Sequence, residues 1–422
     1  MKVKVMGAGV VILTILAGGQ YYTQASYRDR LHQQIDKLNT LYTPQGISVT
    51  AKSAAHSWLG ATDKFAVDLA PGHPLSQVLG QSSGLHILVD NTCQFWPFYV
   101  SCENTLHAND EATASLADTF DIQYTMGWSA NMLVNSLNSH LATQSFVIDQ
   151  YDGTLTVNPL SIQTDSDMAT SFIDLLVDWQ GISLTGSSSG TNIDMGKSVI
   201  EAELTKIEGE YFVSESDITL DSLTITSQDM GVMSGTITLN ALSAASELEA
   251  ETADTYELEQ TFSISKITAA PSDIVVEDLT FDLALDGLTK RFLAKAKASD
   301  DTLTDQQLLN AALDEFGAVT HNLDFEKIGF KYNQQPVLFT AALTIDKHSS
   351  ADINQGKLGN KISGKANLSV AQALVKENPV AAMLIQEKLK QGVVTLNEGT
   401  YNMPLTLQNG VMKANGKAIY QL

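Results

Sequence analysis

Five residues, Gly186-Ser187-Ser188-Ser189-Gly190, match the G-x-S-x-G pattern that presents a nucleophilic serine on a strand-to-helix turn in α/β-hydrolases. Ile182 to Thr185 could supply the strand, but Thr191-Asn192-Ile193-Asp194-Met195-Gly196 is a poor helix start and reads as more strand. The expectation is a Gly/Ser turn between two strands, with Ser188 no nucleophile. The eight histidines, His32, His56, His73, His86, His107, His140, His321 and His348, show no i, i+4 pair with a neighbouring acid and form no metal-ligand cluster. No phosphate loop or dinucleotide fingerprint is present. Carboxylates are abundant enough for glycoside chemistry, yet nothing singles out two of them. Trp58, Trp96, Trp128 and Trp179 read as core rather than as platforms for sugar rings. No catalytic residue, cofactor site or metal site is assigned.

Cys93 and Cys102 are the two cysteines of the chain, in Asn91-Thr92-Cys93-Gln94-Phe95-Trp96-Pro97-Phe98-Tyr99-Val100-Ser101-Cys102. A close pair with no competing third thiol reads as a disulfide in an oxidising compartment. Closing so short a loop is worth about 3 kcal/mol on the chain-entropy account. A metal site would find only His86 and His107 nearby, and two buried free thiols are the plainer alternative.

The amino-terminal segment names that compartment. Lys2 and Lys4 precede a run from Val5 to Gly19 whose one polar side chain is Thr14, and Tyr21 and Tyr22 follow. Val5, Val10, Ile12, Leu13, Ile15 and Leu16 give the run its apolar character. A basic start, an apolar middle and aromatics at the far edge suit a bilayer-inserting segment. Val5 to Tyr22 would span about 27 Å as helix, short but within the range for one crossing. A cleaved signal peptide is the rival reading, with Ala17-Gly18-Gly19 as small residues before a cut; the paired tyrosines favour retention. No later segment is long and apolar enough to cross.

The net charge is −23, unevenly spread: residues 1–285 carry −25 and residues 286–422 carry +2. Between Lys64 and Lys197 there is no Lys or Arg. Nucleic acid is excluded as a partner, because nothing in that stretch could neutralise phosphates. Adsorption of that stretch to an anionic lipid surface is disfavoured for the same reason.

The elements follow from periodicity. Leu31, Ile35, Leu38 and Tyr42 recur at helical spacing, which predicts an amphipathic helix over 27–45 after an anchor over 1–26. Its stripe fits packing on the same chain, and also a short seam with a second copy, a homodimer. The body, 46–422, reads mainly as strand, with a subdivision expected near 245–260. One pattern recurs there. Leu155 and Val157 are followed after two residues by Leu160 and Ile162, Ile218 and Leu220 by Leu223 and Ile225, and Ile274 and Val276 by Leu279 and Phe281. Each time the apolar face changes parity, as a β-bulge or tight bend would require. A sheet curling at each switch would keep these twelve side chains on one apolar groove. The plainer outcome is an ordinary core against a second sheet or against helices at Leu308 and Met383. Helices are expected at Thr304–Phe316, from Ser369 through Leu374 and Val375, at Val380–Lys390, and at Met132–Leu141; Ala244–Glu259, rich in acids, reads as a solvated loop. The class is mostly β with inserted helices (α+β), an elongated, mainly antiparallel curved sheet with bulged strands and one transmembrane helix.

Taken together these features resemble the YdgA-like family of Gram-negative envelope proteins. The carriers are Gly18-Gly19-Gln20-Tyr21-Tyr22-Thr23 at the anchor exit, Ser57-Trp58-Leu59-Gly60, Asp178-Trp179-Gln180-Gly181, and the closing Asn409-Gly410-Val411-Met412-Lys413-Ala414-Asn415-Gly416-Lys417. The resemblance implies a single-pass inner-membrane protein with a periplasmic body, and transfers no catalytic residue. The function expected is non-enzymatic: binding or scaffolding, with lipid or an envelope protein as partner. An envelope serine or carboxylate hydrolase is the alternative.

Overall fold

A computed structural model describes residues 2–73, 84–109, 123–150, 153–186, 190–227, 235–297, 305–377 and 379–421, without the side chains of residues 2–16, 32, 34, 37, 41, 45, 149, 150, 297 and 305. The chain divides into two units. The first holds 1–150 and 154–180, the second 151–153 and 181–422. The division falls at these points and not near 245–260. Both units are mostly antiparallel β-sheet; the described α-helices are one in the first unit and the rest in the second.

The first unit opens with a single helix, α1 (Lys2–Tyr42). The expected boundary between an anchor and a separate helix at residue 27 is therefore absent. Nothing near Tyr27 breaks a helix: no proline lies between Met1 and Tyr42, and Gly18-Gly19 is tolerated within it. Among the described residues no helix is long and apolar enough to cross a membrane, and the anchor side chains of Val5, Val10, Ile12, Leu13, Ile15 and Leu16 lie outside them.

The strands of this unit are β1 (Ile47–His56), β2 (Gly60–Leu69), β3 (Leu85–Trp96), β4 (Tyr99–Ala108), β5 (Tyr124–Asn131), β6 (Ser136–Thr143), β7 (Phe146–Gln150), β8 (Gly153–Val157), β9 (Leu160–Asp167) and β10 (Phe172–Trp179). β1 to β6 form an up-and-down meander, and β9 joins β6 to β10. The helix expected over Met132–Leu141 is instead the β5–β6 hairpin, because Leu137, Ser139 and Leu141 pair across to Ala130, Trp128 and Met126. Period-two burial over the second half of β3, from Asn91 to Trp96, places Asn91, Cys93 and Phe95 inward beneath α1. The inward layer holds Ala61, Cys93, Phe95, Val100, Cys102 and Ala130 around Tyr27 of the helix.

The second unit begins with β11 (Ile182–Thr185), β12 (Thr191–Met195) and β13 (Ser198–Ile207). Four long strands follow: β14 (Glu210–Ser227), β15 (Gly235–Ala250), β16 (Thr255–Ala270) and β17 (Ile274–Thr289). Ala244–Glu259 is thus the closed end of the β15–β16 hairpin, not a loop; its acids alternate with half-buried residues such as Ala244 and Leu258. α2 (Lys290–Lys297) and α3 (Asp305–Phe316) lead to β18 (His321–Tyr332) and β19 (Gln335–Ile345). After α4 (Ser350–Asn354) comes β20 (Ile362–Ala371), which contains Ser369; the helix expected to open there starts later, as α5 (Gln372–Glu377). Ser369 stays in the sheet because it pairs with Leu338 and Asn402. α6 (Pro379–Lys390), β21 (Thr395–Asn397), β22 (Thr400–Gln408), β23 (Val411–Ala414) and β24 (Lys417–Gln421) complete the unit.

Two buried clusters anchor the helices of this unit. One gathers Ile207, Leu248, Leu288 and Leu293 with Phe316 against them. The other holds Val375, Val393, Val394, Tyr401 and Ala414, with Ala381, Ala382, Ile385 and Leu389 of α6 packed on it. Met383 points away from that cluster and is exposed.

Candidate functional site

The four long strands of the second unit are creased along one line. Leu220 pairs with Leu242 and Ser222 with Asn240, so Asp221 and Ala241 are skipped. Next across, Ala241 and Ser265 are skipped, and then Ser265 and Asp278. Ala241 and Asp278 take left-handed backbone conformations, φ 47° and 53°. An inserted residue in every strand at the same height turns each side-chain alternation over together.

The consequence is four apolar rows. Ile218, Ala244, Phe262 and Phe281 lie opposite one another across the strands, as do Leu220, Leu242, Ile264 and Leu279. Beyond the crease come Leu223, Leu239, Ile267 and Val276, then Ile225, Ile237, Ala269 and Ile274. Without the bulges the last two rows would face the other way. The opposite face carries hydroxyls, with Ser243 bonded to Ser263 at 2.8 Å and Thr226 to Thr236 at 3.1 Å. The apolar face continues through Phe281, Phe325 and Phe339, whose rings pack in sequence with centroids 6.1 and 6.3 Å apart. Among the described residues nothing forms a second layer over the rows. Ile264 alone of the sixteen is buried, and Ile218, Ile237 and Ile274 are exposed. Two shallow clefts of about 500 and 520 Å³ open on the same sheet, one beside Phe325 and Leu405 and one beside Leu279 and Leu338.

Of the twelve side chains expected on a groove, the eight on β14 and β17 share this face. Leu155 and Val157 lie on β8, and Leu160 and Ile162 on β9, in the first unit. Asn158-Pro159 ends one strand and begins another there; it is no bulge within a long strand.

Electrostatics at the crease is local. Lys266 pairs with Glu277 at 3.5 Å, and Lys331 with Asp278 at 2.6 Å. The hydrogen bond from Lys331 holds the Asp278 carboxyl below its usual range. Gly186 and Gly190 of the G-x-S-x-G match flank antiparallel strands, with Ile182 opposite Met195, and no helix follows; Ser188 itself lies outside the described residues. No group of three or more potential metal ligands occurs among the described residues.

A second constellation lies under α1. Gly19, Thr23, Tyr27 and Leu31 recur every fourth residue and face the sheet. Gln20 donates to the carbonyls of Trp58 and Phe95 at 2.8 and 3.0 Å. Thr23 accepts from the Phe98 amide at 2.9 Å and donates to its own helix at Gly19. Tyr27 donates to Asp63 and accepts from Asn91 at 2.9 Å, and its ring stacks on Trp128. His56 meets the other oxygen of Asp63 at 2.8 Å. Burial, and then the Asp63 carboxylate, push the Tyr27 hydroxyl far above the usual tyrosine range. Cys93 and Cys102 are bonded on adjacent strands, with the Cys93 sulfur 3.4 Å from the Tyr27 hydroxyl. Sequence reading missed this set because it ended one element at residue 26. The four-residue spacing from Gly19 to Leu31 was the available signal. Trp58 and Trp96, expected in the core, are exposed at hairpin tips.

Over residues 1–420 the chain matches the family described as bacterial protein of unknown function (DUF945), and it belongs to that family. No curated protein and no solved structure matches it at a significant level. The family's description gives no function, so the match adds no reaction to the geometry above.

Proposed function

We propose that this chain is a non-enzymatic envelope protein, held in the inner membrane by α1, whose second unit holds an apolar ligand such as lipid along the creased face. The observation that carries the reading is the pairing of register and exposure. Four strands place a bulge at the same height, which keeps sixteen apolar positions on one side, and yet that side has no covering layer among the described residues. An ordinary core would bury them; an ordinary surface would not align them. Exposed contiguous apolar area of this kind marks a lipid or partner site. Each methylene of an acyl chain laid on it would gain up to about 0.8 kcal/mol on full burial. Four strands at about 4.8 Å spacing make a surface about 14 Å across, and β18 and β19 extend it.

Location rests on separate supports: Lys2 and Lys4 before the apolar run, the tyrosines after it, the disulfide, and the likeness to YdgA-like envelope proteins.

Native mass spectrometry of the detergent-extracted full chain tests the ligand. Co-purified lipid is expected, and Leu239→Asp with Ile267→Asp should remove it several-fold, while Thr238→Asp with Thr268→Asp on the other face should not. Absence of lipid from the wild-type chain, or equal loss from both variants, would overturn the reading.

A further inference from the structure

The meander of the first unit brings three hairpin tips to the same end of the sheet. Trp58 and Leu59 sit on the β1–β2 tip, Trp96 on the β3–β4 tip, and Leu133 and Val134 on the β5–β6 tip. The register makes them neighbours, since Gly60 pairs with Gln94, Trp96 with Tyr99, and Tyr99 with Asn131. The Met132 amide bonds to the Phe98 carbonyl at 2.8 Å and ties the second and third tips together. These side chains are well exposed: Leu59 69%, Trp96 58%, Leu133 71% and Val134 69%. In a chain that is 17% charged, residues 57–60, 96–99 and 132–135 hold no charged side chain.

α1 leaves the sheet at this end. Gly19, Gln20 and Thr23 bond or pack against the first two tips, and Tyr21 and Tyr22 between them face outward, exposed. From Gly18 back to Lys2 the helix continues past the tips, about 25 Å at 1.5 Å per residue. That stretch is the apolar run itself. So the apolar helix emerges beside a row of tryptophan, tyrosine and aliphatic side chains with no charge among them. Trp and Tyr with apolar bodies and polar edges are the side chains that settle at a membrane–water interface.

We propose that this row of tips is a membrane seat: the three tips and Tyr21–Tyr22 dip into the headgroup region of the bilayer that α1 enters, and fix the first unit directly on its surface. The proposal rests on the reading of α1 as an anchor. The occupant is the bilayer and not a protein partner, because the surface is continuous with the membrane-directed run of the same helix and lies at its exit. The absence of charge on the tips lets them enter without desolvating an ion, in a region of the chain that otherwise repels anionic lipid.

The test uses the full chain reconstituted into phosphatidylcholine vesicles, with bromine on the upper acyl carbons of the lipid in a parallel set. Brominated lipid should quench the intrinsic tryptophan fluorescence, and Trp58→Phe with Trp96→Phe should reduce the quenched intensity at least two-fold. Aqueous iodide should then quench the wild type no more than the double variant. Leu59→Asp with Val134→Asp should lower the brominated-lipid quenching while co-flotation with vesicles persists. Unchanged quenching in the double tryptophan variant, or strong iodide quenching of Trp58 and Trp96, would overturn the seat. Loss of co-flotation by the wild-type chain would instead overturn the anchor, and with it the premise.

Discussion

At Tyr27 one hydroxyl joins the helix to the sheet. It donates to a carboxylate that is 1% exposed, accepts from Asn91, and lies 3.4 Å from the Cys93 sulfur. Tyr27→Phe keeps the ring and leaves Asp63 short of a donor, which costs about 2 kcal/mol for a charge-assisted bond. Urea unfolding of the detergent-solubilised chain should report that loss. The same hydroxyl makes the docked state sensitive to alkali. Its folded pKa is raised above the unfolded value near 10, so its contribution is complete below that pH. Above it, stability should fall by about 1.4 kcal/mol per pH unit through this group, and Tyr27→Phe should flatten that slope. Ala241 makes a different demand. Its left-handed backbone suits glycine, so Ala241→Gly should raise stability by about 0.5–1 kcal/mol. A fall in the urea midpoint would argue that the bulge conformation is not held there.

Among the elements, β14 shows what a bulge is for. Inserting one residue beside Asp221 would turn the alternation over once more, and would send either Ile218 and Leu220 or Leu223 and Ile225 to the hydroxyl face. The insertion should lower the thermal midpoint by several degrees, and Ile225→Thr added to it should cost little more; an insertion without effect would mean that the strand is not held in register. The parity switches at 220–223 and 276–279 were legible in the sequence because alternation reports which face a residue takes. The partners at 242 and 264 were not, since Ala244 and Ser243 dilute the pattern on β15. The hairpin at 244–259 was misread because acids on an exposed sheet face look like a solvated loop when no partner strand is visible. Met132–Leu141 failed similarly: Leu133, Leu137 and Leu141 recur at a helical interval by coincidence, while the pairing to β5 decides the outcome. Packing of the helix on its own chain was foreseen from Leu31, but its docking through Gln20, Thr23 and Tyr27 was missed because those contacts are distant in sequence, Gln20 reaching Phe95 and Tyr27 reaching Asn91.

For the whole molecule, charge is the property that composition fixes most directly. A net charge of −23, with no Lys or Arg between Lys64 and Lys197, sets the folded chain against itself. Raising NaCl from 0.01 to 0.5 M shortens the screening length from about 30 Å to a few ångströms. The thermal midpoint should rise by a few degrees over that range, mostly at its lower end, as calorimetry would record. A midpoint that falls would mean that ion pairs such as Lys331–Asp278 outweigh the repulsion.

The burial of Gln20 and Thr23 directly after Gly19 leaves no slack between α1's outward stretch and the sheet. Many anchored proteins hang from a leash and sweep a volume set by its length. Here the leash has zero length. With α1 in a bilayer, the first unit would meet its partners at one fixed height and by lateral diffusion alone. A flexible insert after Gly18 would change its effective concentration toward a soluble partner without altering a single contact surface.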